Sequence, residues 1–193
     1  MEARNKMEIT CSQLHKLLMD WSTKGFNEYL LRKRNKEPDP PIPKIYSDWG
    51  HEQEPFAKLA YKAVTGNEIE EFGLIVHPKY PYFGGSPDGL VIGPTVLECK
   101  CPYSDFSGKV KPEYVAQISG MCLITGAKVG HLVIYMPKVN QLKVIEIKPD
   151  PAYLKTIEYR IGLFHKILSG DWDEAEHVLP RVKCIYEQKQ IYP

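Results

Sequence analysis

Apolar residues recur along this chain at two periods, about 3.6 and 2, and the alternation between them predicts its elements. Leu14, Leu17, Leu18 and Trp21 predict a helix from Ser12 to about Lys36, with Ser12 placed to cap it. The run Glu37-Pro-Asp-Pro-Pro-Ile-Pro-Lys44 interrupts it as a stiff connector, too short to separate domains. Helical spacing returns from about Asp48 to Thr65, with Gly50, Glu54, Ala57 and Tyr61 on one stripe and Pro55 expected to kink or break it. Phe72 to His77 reads as a strand, and Leu90-Val-Ile with Val96-Leu-Glu-Cys-Lys as a β-hairpin around Gly93-Pro94-Thr95. Lys111 to Thr125 reads as a helix; its Ala116, Ser119 and Gly120 allow close packing on a sheet, and Tyr114 and Gln117 share a face. His131–Met136 and Leu142–Ile147 are expected to pair through Lys138-Val-Asn-Gln. Pro151 to Ser169 reads as a long amphipathic helix burying Leu154, Ile157, Ile161, Phe164, Ile167 and Leu168, stopped by Gly170. The tail from Asp171, with Trp172, Ile185 and Tyr192, is expected to be a loosely structured extension.

Strands flanked by helices, with crossovers long enough to hold them, predict an α/β fold with a mixed central β-sheet. At 193 residues the expectation is a single domain: a helical part over about 9–65, a sheet core over about 72–148, and a C-terminal helix and tail over 151–193. No stretch approaches the roughly 18 apolar residues of a membrane span, and no charged-then-apolar leader opens the chain, so neither a membrane nor secretion is expected. Five cysteines, an odd number without disulfide-like spacing, point to the reducing cytoplasm. A net charge of +1 is low for a nucleic-acid binder, although Arg32-Lys33-Arg34 with Lys36, and Lys109 with Lys111, form local basic clusters able to meet phosphates or simply to be solvated.

The chemistry concentrates in Gly84-Gly85-Ser86-Pro87-Asp88-Gly89, followed ten residues after Asp88 by Glu98-Cys99-Lys100. Ser-Pro-Asp-Gly is also an ordinary type I turn, and Glu-x-Lys an ordinary solvated strand face. Their conjunction in an apolar stretch is what matters, because charges there are costly without partners. Strand alternation puts Glu98 and Lys100 on one face with Leu97 and Cys99 on the other, and the hairpin folds Asp88 back beside them. Two carboxylates and a backbone carbonyl suit a hard cation such as Mg²⁺, which would generate hydroxide and neutralise phosphate charge while Lys100 orients the water.

The Gly-x-Ser-Pro-Asp-Gly turn with Glu-Cys-Lys resembles the PD-(D/E)xK nuclease motif in the form carried by phage lambda-type exonucleases, the YqaJ-like viral recombinase family. Three more segments resemble that family: Gly50-His-Glu-Gln-Glu54-Pro-Phe-Ala57, Glu113-Tyr-Val-Ala-Gln117 and Ile9-Thr-Cys-Ser12. The resemblance implies a restriction-endonuclease-like core and a Mg²⁺-dependent 5′→3′ exonuclease on double-stranded DNA ends, with Mn²⁺ able to substitute. It implies 3′ single-strand tails for an annealing protein, and toroidal homotrimers. Carried over residue by residue, Asp88, Glu98 and the Cys99 carbonyl would ligate metal with Glu54 close by, Lys100 would act on the attacking water, and Ser12, Ser86 and Gln117 would hold the phosphate. Arg32 and Arg34 are further candidates for DNA. The family's arginine ahead of its Ile-Thr-Ala-Ser motif falls on Asn5 here, with Arg4 one position away as the candidate substitute. No iron–sulfur cluster is expected, since it needs four thiolates and only Cys184 lies in the last third of the chain. The same motif also serves structure-specific and restriction-type endonucleases, and a silent DNA-binding module could keep the fold.

Overall fold

The computed structural model describes residues 7–104, 109–171 and 178–193; Arg4 and Trp172 lie outside the described residues. The elements run β1 (Ile9–Thr10), α1 (Leu14–Leu17), α2 (Lys24–Arg34), α3 (Lys44–Thr65), β2 (Ile69–Glu70), β3 (Ile75–Val76), β4 (Phe83–Gly85), β5 (Gly89–Val91), β6 (Thr95–Lys100), α4 (Pro112–Thr125), β7 (Val129–Met136), β8 (Gln141–Pro149), α5 (Pro151–Ser169) and β9 (Tyr186–Tyr192). A six-stranded sheet has the order β2-β5-β6-β7-β8-β9, and a small sheet has the order β1-β4-β3. In the large sheet only the β6–β7 pairing is parallel, with α4 as its crossover. The expected mixed sheet flanked by helices is the fold.

Two apolar clusters sandwich the large sheet. Val96, Leu132, Ile134, Ile145 and Ile147 pack with α1, α2, α4 and α5 on one face. Leu97, Cys99, Val133 and Val144 pack with Ala57 and Tyr61 of α3 on the other. The alternation of partners along β6 is the period-2 pattern of a strand buried on both faces, which is why its sequence is nearly continuous in apolar residues.

The expected first helix is two helices. Asp20 accepts from the Ser22 backbone N–H at 2.9 Å and hydroxyl at 2.6 Å, and the Thr23 hydroxyl accepts from Phe26 N–H at 3.3 Å, so a local turn and a fresh N-cap replace the helix between them. Pro55 does not end α3, which runs 22 residues from Lys44, four residues earlier than expected. The strand expected over Phe72–His77 shrinks to Ile75–Val76, because its neighbour β4 is itself only three residues long. The end of the tail is a strand and not a loose extension: β9 adds to the free edge of β8 from Pro149 to Val144, satisfying backbone groups with a mostly polar sequence. Arg160 of α5 ties down the approach to it, buried and donating to the carbonyls of Leu17 at 3.4 Å and Pro180 at 2.5 Å.

Close packing at α4 also differs from expectation. A Cβ on Gly120 would lie 2.4 Å from Leu14 Cδ1, so the small residue admits the N-terminal segment rather than the sheet. On the sheet side Gly130 of β7 makes the room, since a Cβ there would lie 2.4 Å from Ile118 Cγ2. Gly84 and Gly85 do the same for β4, where added Cβ atoms would fall 2.7 Å from the Ile75 carbonyl oxygen and 2.6 Å from Cys11 Sγ. These approaches fix the strand that delivers the Ser-Pro-Asp-Gly turn. Gly84→Ala is therefore expected to lower stability by about 1–3 kcal/mol, because a backbone carbonyl cannot rotate away as a side chain can. Urea unfolding measures it, and an unchanged midpoint would contradict the packing account.

Candidate active site

Asp88 reaches β6 through two hydrogen bonds. Its N–H donates to the Leu97 carbonyl at 3.2 Å, and its carboxylate accepts from Cys99 N–H at 2.7 Å. Glu98 lies on the α4 face of β6, 2% exposed. Its Oε1 accepts from Gln117 Nε2 at 2.7 Å and pairs with Lys100 Nζ at 2.6 Å. Lys100 also donates to Gln117 Oε1 at 3.0 Å, and its ammonium lies 5.3 Å from the Tyr114 ring centroid. Glutamate, lysine and glutamine thus close a triangle in which each member touches the other two. The second carboxylate oxygen, Glu98 Oε2, is buried with no hydrogen-bond partner.

Glu54 enters from α3, on the opposite side of β6. It pairs with Lys58 one turn on at 2.9 Å, and Lys58 also reaches Glu71 at 2.9 Å. Its charge is nevertheless felt by both Asp88 and Glu98. Burial, then the Glu98 charge, push the Asp88 carboxyl up to about 8 against the pull of the Cys99 N–H. Burial also raises Glu98, although Lys100 and Gln117 oppose it. Burial works against the charge on Lys100, but Glu98 and Asp88 outweigh it and raise its pKa.

Asp88, Glu98 and Glu54 thus face two ammoniums, Lys100 and a Lys58 shared with Glu71, and one carboxylate oxygen is orphaned. That surplus is the signature of a place for a cation, and an all-oxygen donor set suits Mg²⁺ or Mn²⁺. Among the described residues no three His, Cys, Asp or Glu side chains form a compact metal cluster. Asp88 and Glu98 can therefore supply two points, with backbone, water and substrate supplying the rest.

The remaining candidates are spread more widely. Ser86 is half-buried two residues before Asp88. Ser12 is exposed, its hydroxyl 3.1 Å from that of Thr10, and it lines a cavity of about 940 Å³ together with Gln13, Lys33 and Arg34. Arg32 is half-buried on α2 with its Nε unpaired. Sequence reading assigned no role to Lys58, which its four-residue spacing from Glu54 marks; Tyr114, expected on the same face as Gln117, lies with it beside Lys100.

The profile of the YqaJ-like viral recombinase domain matches residues 1–128. Among solved structures, LHK-Exo in complex with dAMP is 28% identical, with a TM-score of 0.77 over 88% of this chain and 91% of that one. The alkaline exonuclease LHK-Exo from Laribacter hongkongensis is 27% identical, with a TM-score of 0.75 over 86% and 90%. A phage-related exonuclease from Haemophilus somnus 129PT shares the fold, with a TM-score of 0.71 over 86% and 95% at 13% identity. No curated protein matches the chain.

The raised carboxyl of Asp88 makes metal-free stability fall with pH. Between its unfolded value near 3.8 and its folded value of about 8, only the folded chain keeps the proton. The contribution is full below the lower value and is lost as pH rises through the upper one. Melting temperatures in EDTA should fall from about pH 4 to about pH 8 and level off above that, and Asp88→Asn should flatten the slope. Parallel curves for the two proteins would contradict the assignment.

Proposed function

The chain belongs to the YqaJ-like viral recombinase family, and from that premise we propose that it is a divalent-metal-dependent 5′→3′ exonuclease acting on double-stranded DNA ends. Membership of that family makes it a nuclease, a hydrolase whose substrate is DNA. The observation that supports the metal dependence is the orphaned Glu98 oxygen, on a strand whose Lys100 is held by Glu98 and Gln117; the 5′→3′ direction and the duplex-end substrate rest on the family resemblance. LHK-Exo has been crystallised with dAMP, a mononucleotide of the kind an exonuclease releases.

Asp88, Glu98 and the Cys99 carbonyl would hold the metal, with Glu54 close enough to add negative charge. When bound, the metal supplies a Lewis acid that acidifies water and neutralises phosphate charge. Lys100, pinned by Glu98 and Gln117, keeps its ammonium where a water can approach the phosphorus. As the water oxygen bonds to phosphorus, the ester bond to the leaving oxygen breaks and that oxygen takes a proton. Lys100 stabilises the charge that develops. Gln117 can turn its amide toward the phosphate, and Ser86 offers a hydroxyl next to Asp88. Ser12 shares a cavity with Lys33, Arg34 and Lys36, cations that can meet phosphate oxygens although Glu8, Glu37 and Asp39 line it too; Arg32 and Arg4 are further candidates for DNA contact. Mg²⁺ is the metal this oxygen set favours, with Mn²⁺ in its place.

By family, the chain works in recombination, leaving 3′ tails for an annealing protein. We take all 193 residues as one nuclease domain that assembles as a homotrimer in the cytoplasm. Among the described residues no helix is long and apolar enough to cross a membrane.

Linear duplex should be digested with Mg²⁺ or Mn²⁺ and spared in EDTA, while covalently closed circles resist; cutting of the circle would make the protein an endonuclease. Lys100→Ala should slow digestion by roughly 10²–10³-fold while retaining DNA binding, as loss of one preorganised charge donor does. Turnover at the wild-type rate would remove Lys100 from the mechanism.

A further inference from the structure

The end of the sheet that carries Lys100 also carries an aromatic cluster that the chemistry above leaves unused. Tyr46 and Trp49 come from the first turns of α3, Tyr103 from the chain beyond β6, and Lys138 from the 3-10 turn after β7. Tyr103 meets Tyr46 edge-on, with centroids 5.6 Å apart and planes at 77°, and meets Trp49 in the same way at 5.5 Å and 77°. Lys138 Nζ lies 3.3 Å from the Tyr103 ring centroid and 4.5 Å from that of Trp49. It also donates to the Tyr103 carbonyl at 3.3 Å. None of these rings belongs to either core cluster. Tyr46 is 53% exposed, Tyr103 39% and the adjacent Ile45 55%, while the Trp49 indole N–H has no partner.

Their position follows from topology. β6 and β7 are parallel, so Lys100 and Met136 end at one edge of the sheet, with Tyr103 three residues past the first and Lys138 two past the second. α3 leads back from the same edge, and Trp49 and Tyr46 precede Glu54 by about 8 and 12 Å of helix rise. That is the reach of roughly two to four stacked nucleotides.

Resting on the nuclease reading, we propose that Tyr46, Trp49, Tyr103 and Lys138 form a stacking platform for unpaired deoxynucleotides of a frayed or tailed DNA end beside the catalytic carboxylates. Aromatic faces accept any base, and a mobile ammonium meets the phosphate that follows, so the platform reads single-strandedness and not sequence. In the DNA-free protein Lys138 covers the Tyr103 face; a base arriving there displaces it toward the backbone. Among the described residues, the acid nearest in sequence to Tyr46 and Trp49, Asp48, pairs with Lys44 at 2.5 Å, and Lys138 sits over the rings as a cation that can meet a polyanion.

The test is anisotropy of labelled DNA with the full chain in EDTA, where cleavage is off. Oligodeoxythymidylate, a tailed duplex and a blunt duplex are compared. Tyr46→Ala combined with Tyr103→Ala should weaken oligodeoxythymidylate and tailed-duplex binding by roughly 5–100-fold, with blunt-duplex binding changed less than about twofold. The corresponding Phe variants, which still stack, should bind like wild type. Wild-type affinity in the double Ala variant, equal loss on tailed and blunt DNA, or equal loss in the Phe variants would each overturn the platform; so would a wild-type chain that digests linear duplex but binds no single strand. Single-strand binding that shows this pattern, without digestion of any DNA on adding metal, would instead sink the nuclease reading and leave the platform standing.

Discussion

The burial of the Glu98 carboxylate is the constraint on which the rest of this molecule turns. A charge 2% exposed inside a sheet needs partners, and the chain supplies two of them to one oxygen only. Lys100 and Gln117 are consumed in holding that oxygen, and their own placement is thereby fixed. The other oxygen has no protein partner, so the arrangement is complete as packing and incomplete as electrostatics. Asp88, bonded to Leu97 and Cys99 on either side of Glu98, worsens the imbalance, since burial and the neighbouring carboxylate both oppose its ionisation. A cation relieves all three penalties at once, which is why donor chemistry and strain in the site point the same way.

Holding that strand in place takes both layers of the fold. β6 sends Val96 into the cluster beneath α4 and α5, and Leu97 and Cys99 into the one beneath α3. Neither layer alone would fix the facing of Glu98. The small sheet then brings the Ser-Pro-Asp-Gly turn alongside, and it can do so because Gly84, Gly85 and Gly120 let the N-terminal segment pack at backbone distance. α3 crosses the other face and carries Glu54 toward the carboxylates while Lys58 balances part of its charge. One helix therefore spans from the buried Tyr61, bonded to His131 at 2.7 Å, to the exposed aromatic edge at Tyr46.

What could be read in advance was whatever depends on local periodicity. The hairpin around Gly93-Pro94, the helix from Pro112 and the helix ending before Gly170 follow from turn chemistry, proline at the first helical positions and a left-handed C-terminal glycine. That Glu98 and Lys100 share one face follows from strand alternation. The break at Asp20–Thr23 was written in capping residues but hidden by a continuous apolar stripe, because Trp21 turns inward to donate to the Leu17 carbonyl at 2.9 Å. β9 left little apolar trace beyond Tyr186, Ile191 and Tyr192, since an edge strand with mostly exposed side chains is chosen by the unpaired backbone of its neighbour.

The sequence by itself determined the mixed α/β class, the longer helices and central strands, and the set of charged residues brought to one strand, because those rest on interactions within a few residues. Only the tertiary structure decided how their charges are satisfied. It pinned Lys100 on Gln117 from a helix seventeen residues away, paired Glu54 with Lys58 while leaving its charge felt by Asp88 and Glu98, and set Ser12 in a cavity with Lys33 and Arg34. Coulomb and desolvation energies depend on distance and burial in three dimensions, and sequence spacing carries neither.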